Sequence, residues 1–347
     1  MVTIYNTTLS ATSQRYFSDG LGGGKRNDAI DILKCLAALL ITNSHMAGLY
    51  PAPFTALATG GAIGDALFFF ASGFTISYSR GGNFFNWYKR RINRIFPTIF
   101  AVAAIDIILF GKDPTLKEIV TSCGGWFIQC IFLFYAVFWF VKKYLMNKLW
   151  VAYVINAAIV LVWFFGFWDQ STFILYNGTY LRWPLYFFAM LLGASVAKQE
   201  RTHEKKEIPI LLSIFVLLVL LGLYYGYQII EKIFAVLDYG QLILAPVLLA
   251  LVYCLYIICD SKAFLSFYSK TIAHNLIYWV SALCLEVYLC QHWLLPTGAS
   301  FIQYFPVNVI LSFIAIGFAA YLLKVVSNFL SQTFRTEDYD WKKMVSL

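Results

Sequence analysis

The chain has 347 residues, of which 60% are hydrophobic, 19% aromatic and only 13% charged, with a formal net charge of +8. That balance excludes a soluble domain with a polar shell and implies a polytopic membrane protein. The positive charge does not call for nucleic acid as a partner, because the lysines and arginines fall in short segments between apolar runs, where membrane orientation accounts for them.

The N-terminal residues 1–27 are polar and end in DGLGGGKR, which reads as a flexible cytoplasmic tail without the order of a signal peptide. From there, apolar runs of roughly 20 residues recur along the chain, each long enough to cross about 30 Å of hydrocarbon as a helix. The runs lack barrel-type alternation, so the expected fold is all-α, a polytopic membrane helix bundle with about ten transmembrane helices. Spans are predicted near 29–48, 58–79, 95–111, 123–141, 149–168, 179–197, 208–228, 233–259, 275–295 and 304–330. Alternate loops divide the basic residues unevenly. One side takes Arg15, Lys25, Arg26, the Arg80 to Arg94 group, Lys142, Lys143, Lys148, Lys198, Arg201, Lys205, Lys206, Lys262, Lys270, Lys342 and Lys343. The other takes Lys112, Lys117, Arg182 and Lys232, so both termini are expected in the cytoplasm, with residues 332–347 as a C-terminal tail. The seven cysteines lie in or beside apolar spans without ligand spacing and read as packing thiols, so no metal is expected.

The first span, DILKCLAALLITNSH, carries Asp31, Lys34 and His45. At about 100° per residue, Lys34 and His45 lie about 20° apart in azimuth and about 16 Å apart along the axis, and Asp31 and Thr42 join the same stripe. A charge near the membrane centre costs roughly 2.5 to 3.5 kcal/mol, which favours a functional role for the stripe. His45 is then a candidate general base, since an imidazole can accept the proton of an alcohol near neutral pH. The alternative is an interfacial Asp31–Lys34 pair with a packing histidine.

The next span, GDALFFFASGFTISYSR, holds Ser72-Gly73, where the backbone can approach a helix or a ligand closely. Asp65 near its outer end can orient a base, bind sugar hydroxyls or cap the helix. The segment NWYKRRINRIFP places Arg90, Arg91 and Arg94 at a cytoplasmic membrane edge. They are lipid-phosphate anchors or a guanidinium clamp for a phosphorylated cofactor, with Arg91 and Arg94 spaced to face one ligand.

These pieces, in this order from Asp28 to about Pro296, resemble the acyltransferase 3 family of integral membrane acyltransferases, which includes bacterial polysaccharide O-acetyltransferases. The family's basic residue and histidine with ten residues between them match Lys34 and His45, although arginine is usual at the first place. Its FFxxSGF run matches Phe68, Phe69, Ser72, Gly73 and Phe74, with Ala66 where an aspartate is frequent and Asp65 beside it. Its RxxRIxP pattern matches Arg91, Arg94, Ile95 and Pro97, and WFIQCIFLFY resembles the fourth-span pattern ending at Tyr135. CLEVYLCQHWLLP resembles a segment reading S-x-x-x-Y-L-x-H, in which Tyr288 matches, Cys284 replaces the serine, Gln291 replaces the histidine and His292 stands one place later.

The resemblance implies acyl transfer from cytoplasmic acyl-CoA, most often acetyl-CoA, to a hydroxyl of a cell-surface or exported carbohydrate, free, lipid-linked or polymeric. It implies a bacterial inner membrane location, a transmembrane domain over 28–331, a catalytic group around His45, Lys34, Asp31 and Asp65, and a donor site at Arg90, Arg91, Arg94 and Ser72. Glu286, Tyr288 and His292 are candidate acceptor contacts, with Glu286 either facing substrate or paired to another helix. His45 can act by deprotonating the acceptor or by carrying the acyl group itself. The competing reading is a proton-coupled transporter or flippase that uses the same buried charges as a pathway.

Overall fold

The computed structural model describes residues 27–122, 125–166, 180–202, 208–234, 242–269, 273–301, 304–333 and 338–347. The predicted N-terminal tail, Cys123, and parts of the loops at 167–179 and 203–207 lie outside them. The described residues are helical, without strands. In chain order the helices are α1 (Asp28–His45), α2 (Gly61–Ser77), α3 (Phe84–Phe110), α4 (Leu116–Ser122), α5 (Trp126–Phe140), α6 (Leu149–Gly166) and α7 (Arg182–Thr202). They continue with α8 (Ile210–Ile233), α9 (Leu244–Cys259), α10 (Lys262–Tyr268), α11 (Ala273–Ala282), α12 (Cys284–Phe301), α13 (Val307–Thr333) and α14 (Trp341–Met344).

Two helices make the centre of the bundle. α1 starts at Asn27, whose side chain accepts from the Ile30 amide, and buries Leu33, Ala37 and Ala38 completely or nearly so. α2 crosses α7 at two glycines. A Cβ at Gly73 would overlap the Met190 carbonyl, and a Cβ at Gly193 would overlap the carbonyl of Phe70. Only glycine permits so close a backbone contact, so Gly73 serves helix packing and not ligand approach. Around this pair the interior is aromatic: Phe69 meets Phe127, Phe134 and Tyr186 at ring-centroid distances of 4.8, 5.0 and 5.6 Å.

Five helical runs among the described residues are long and apolar enough to cross a membrane, six if the bent pair α11–α12 counts as one. The chain is thus an integral membrane helix bundle, but the expected ten crossings are not established by that criterion. The physical reason is where the charges sit. α1 carries Asp28, Asp31 and Lys34 and α7 carries Arg182, Lys198, Glu200 and Arg201, yet these helices are buried by protein, whereas α8 is apolar with little of its surface covered. α9 has only 16 residues.

The run Trp126–Gly166 is 41 residues long and turns back on itself at the π-helical stretch Val141–Leu145. Trp126 lies under Arg182, Lys142 reaches the carbonyls of Ile76 and Ser79 at the opposite end, and Asn156 returns to the Pro184 carbonyl. The separate segments predicted at 123–141 and 149–168 therefore run antiparallel.

Three boundaries differ from expectation. α3 begins at Phe84, so Arg90, Arg91 and Arg94 stand on its first turns, and Pro97 lies inside the helix. The segment predicted as one span at 275–295 breaks at Leu283 with a bend of 77°. Residues of the predicted C-terminal tail pack back on α13, where the Asn328 amide donates to the carbonyls of Lys343, Met344 and Ser346.

Candidate active site

The polar stripe of α1 meets α12 at Thr42 and His45, and Lys34 lies near the first residue of α12, Cys284. At the C-terminal end of α1, His45 Nδ1 lies 2.6 Å from Gln291 Oε1, and Gln291 Nε2 donates to Thr42 Oγ1 at 3.0 Å. Gln291 and Thr42 are buried, so their polar atoms depend on these bonds. At the other end Lys34 Nζ is 4.0 Å from Asp31 Oδ1, and its charge acts on the thiol of Cys284. Cys284, Tyr288 and Gln291 follow one another at i, i+4 and i+7, which puts them on a single face of α12.

His45 opens into a cavity of about 720 Å³ between α1, α3, α4 and α12, with Tyr288, Gln291, His292, Asp106 and Glu118 as its polar lining. Ile99, Val102, Leu289 and Leu295 supply apolar walls. The volume suits a small-molecule ligand or part of a larger one. Beside the cavity, and sharing Tyr288 and Gln291 with it, a void of about 10 Å³ is lined by Phe68, Phe127 and Cys284.

His292 does not take the place next to His45. One residue further along the helix turns it by about 100°. Its Nδ1 donates to the Leu289 carbonyl at 2.7 Å, and its Nε2 lies 3.4 Å from Asp106 Oδ1, an oxygen that also accepts from Trp293 Nε1 at 2.8 Å and Lys112 Nζ at 3.0 Å. Glu118 accepts from the amide and hydroxyl of Thr115 at 2.7 and 2.9 Å, a local cap that fixes α4 at the cavity rim.

At the arginine end, the guanidinium of Arg91 stands 5.1 Å from the centre of the Trp87 ring, while its Nε is buried without a partner. Arg94 is exposed beside it, and both act electrostatically on Tyr135, which shares a hydrogen bond with Ser72. Arg90 donates to the carbonyls of Arg80 and Gly81, each at 3.3 Å. The structure thus brings Arg91, Arg94 and Ser72 together around Tyr135 and uses Arg90 to hold the preceding turn.

Asp65 and Glu286 also lie away from the cavity lining. Asp65 is hydrogen-bonded by Tyr186 and lies near Arg182, both on α7. Glu286 is buried and paired with Lys324 Nζ of α13 at 3.1 Å, with Thr98 Oγ1 at 3.4 Å. Of the two roles open for Glu286 in the sequence, the geometry matches the interhelical pair. Residues absent from the sequence-based site are Gln291 as the partner of His45, Asp106 as the partner of His292, and Lys324. A lysine inside an apolar run was the signal for the last.

The family model for the acyltransferase domain called acyltransferase 3 matches residues 27–328. The chain belongs to the acyltransferase 3 family. It is a membrane acyltransferase, and the match covers every helix from α1 to most of α13. No curated protein and no solved structure matches the chain. Among the described residues of this acyltransferase, no three His, Cys, Asp or Glu side chains are grouped to hold a metal.

Proposed function

We propose that the enzyme transfers an acyl group, acetyl in the simplest case, from cytoplasmic acyl-CoA to a hydroxyl of an exported or cell-surface carbohydrate held in the outer cavity. The observation that carries this reading is the pairing of His45 with Gln291 at the cavity wall. Because the amide oxygen of Gln291 can only accept, Nδ1 of His45 carries the proton and Nε2 keeps a lone pair. That nitrogen is the base that takes the proton of the acceptor hydroxyl as its oxygen attacks the thioester carbon, with CoA leaving as the thiol. Direct attack is the simpler route, since it requires no acyl-enzyme.

The donor enters at the arginine end. Arg91 and Arg94 are the phosphate contacts, and the unpartnered Nε of Arg91, stacked by its guanidinium on Trp87, fits a donor that supplies an anion. Ser72 and Tyr135 stand beside these arginines, and Cys284, which feels the charges of both Arg94 and Lys34, lies between them and the face of α12 that carries Gln291. Lys34 adds positive charge there and neutralises Asp31. Tyr288 and His292 contact the acceptor, whereas Asp65 and Glu286 support the site through their helix partners. The arginine end faces the cytoplasm of a bacterial inner membrane, with both termini on that side.

The test compares purified surface glycans of wild-type and deletion cells by mass spectrometry. Loss of an ester mass on deletion, restored by the gene, supports the reading; identical ester content in both strains rejects a carbohydrate acceptor.

A further inference from the structure

We infer that Gln291 is a positioning residue whose amide, held by Thr42, fixes His45 in the Nδ1-protonated tautomer and so presents Nε2 to the acceptor. The inference rests on the reading of His45 as the base and deepens it.

An amide side chain can turn either end toward an imidazole. With its oxygen toward His45 it accepts a proton from Nδ1; with its nitrogen there it would donate, and the ring would carry its proton on Nε2, the atom facing the acceptor. The structure holds the amide oxygen toward the ring. Gln291 Oε1 lies 2.6 Å from His45 Nδ1 while Nε2 donates to Thr42 Oγ1 at 3.0 Å, so both ends of the amide are engaged and the ring nitrogen that meets its oxygen is the one that carries the proton. All three groups are on adjacent faces of α1 and α12, and Gln291 and Thr42 are buried from solvent. Gln291 is neutral, so the orientation is obtained without a carboxylate next to the base. The ionisable groups around the cavity are Asp106 on α3, Glu118 on α4, and Tyr288 and His292 on α12, and Asp106 is already engaged by Lys112, Trp293 and His292.

The experiment uses the full chain with 15N-labelled histidine, at a pH about two units above the ordinary imidazole value so that neutral rings dominate. The His45 signals are assigned by their absence in His45→Ala. Wild type is expected to show a protonated Nδ1 and a bare Nε2. Gln291→Leu should give a mixture of tautomers and lower the rate of acyl transfer from [14C]acetyl-CoA in inverted membrane vesicles by about tenfold or more, at unchanged acetyl-CoA affinity. Gln291→Glu, which still accepts from Nδ1, should restore the single tautomer and most of the rate. Should Gln291→Leu not fold, Thr42→Val tests the same link, because it removes the partner of the Gln291 amide nitrogen and loosens the amide's hold on the ring, so a mixture of tautomers is expected, whereas Thr42→Ser should keep the single tautomer. A wild-type His45 protonated at Nε2, or a Gln291→Leu enzyme with the wild-type tautomer and rate, overturns the inference. Full transfer by His45→Ala would instead remove the base reading, and the tautomer measured in wild type would still report on Gln291 separately.

Discussion

Removing Lys324 separates the scaffold role of Glu286 from a chemical one. Lys324→Met leaves the side chain of Glu286, only 2% exposed, with a 3.4 Å contact from Thr98 in place of a 3.1 Å ion pair. Breaking one half of a buried pair costs about 3 to 5 kcal/mol. The Lys324 side chain is 24% exposed, so water relieves part of the loss and the expectation sits at the lower end, about 3 kcal/mol. The double variant Glu286→Gln with Lys324→Met removes both charges and should recover most of this, to within about 1 kcal/mol of wild type. Equilibrium unfolding in detergent reads both, with acetyl transfer measured on the same preparations. Glu286→Gln should keep transfer wherever it keeps its fold. A Lys324→Met protein as stable as wild type, or a Glu286→Gln protein that melts normally and transfers nothing, would refute the assignment.

Three further outcomes follow from the geometry. Arg91→Ala and Arg94→Ala should each weaken acetyl-CoA binding by about 10- to 150-fold, the equivalent of charge-assisted bonds of about 1.5 to 3 kcal/mol, as measured by equilibrium binding to purified enzyme; unchanged affinity in folded variants leaves them as topological anchors. Gly73→Ala should lower the melting temperature and the yield of folded protein, since its Cβ overlaps the Met190 carbonyl and α2 must move off α7, at a cost of about 1 to 3 kcal/mol or more; normal melting would contradict the crossing. A cysteine placed at position 53 should react with an impermeant reagent in intact cells and one at position 91 should not, and the reverse pattern would overturn the donor side.

The sequence made the class of fold and much of the site legible because both depend on local pattern. Apolar run length announces a helix bundle, and the eleven-residue interval from Lys34 to His45 puts both on one face of a helix whether or not its neighbours are known. What the stripe faces was not legible. Gln291 read as a missing histidine, because a residue's partner depends on how α1 and α12 cross and not on the spacing within either. Asp65 and Glu286 illustrate the same limit: an acidic residue in an apolar run says that some partner exists, and only packing shows Arg182, Tyr186 and Lys324 in that role. The predicted span starting at residue 95 leaves the arginine motif outside the helix, yet α3 begins at Phe84 and continues through Pro97. The break at Leu283 carries no proline or glycine, so nothing in the local sequence announces it.

The central claim, that His45 is the base of acyl transfer, is tested most directly by restoring deletion cells with His45→Ala and measuring glycan ester content at matched membrane levels, with the melting temperature and acetyl-CoA affinity of the purified variant in parallel. The account predicts normal melting, normal acetyl-CoA binding and a loss of transfer of about a hundredfold or more. A variant that melts normally and esterifies the glycan at close to the wild-type level would contradict it and return His45 to a packing role.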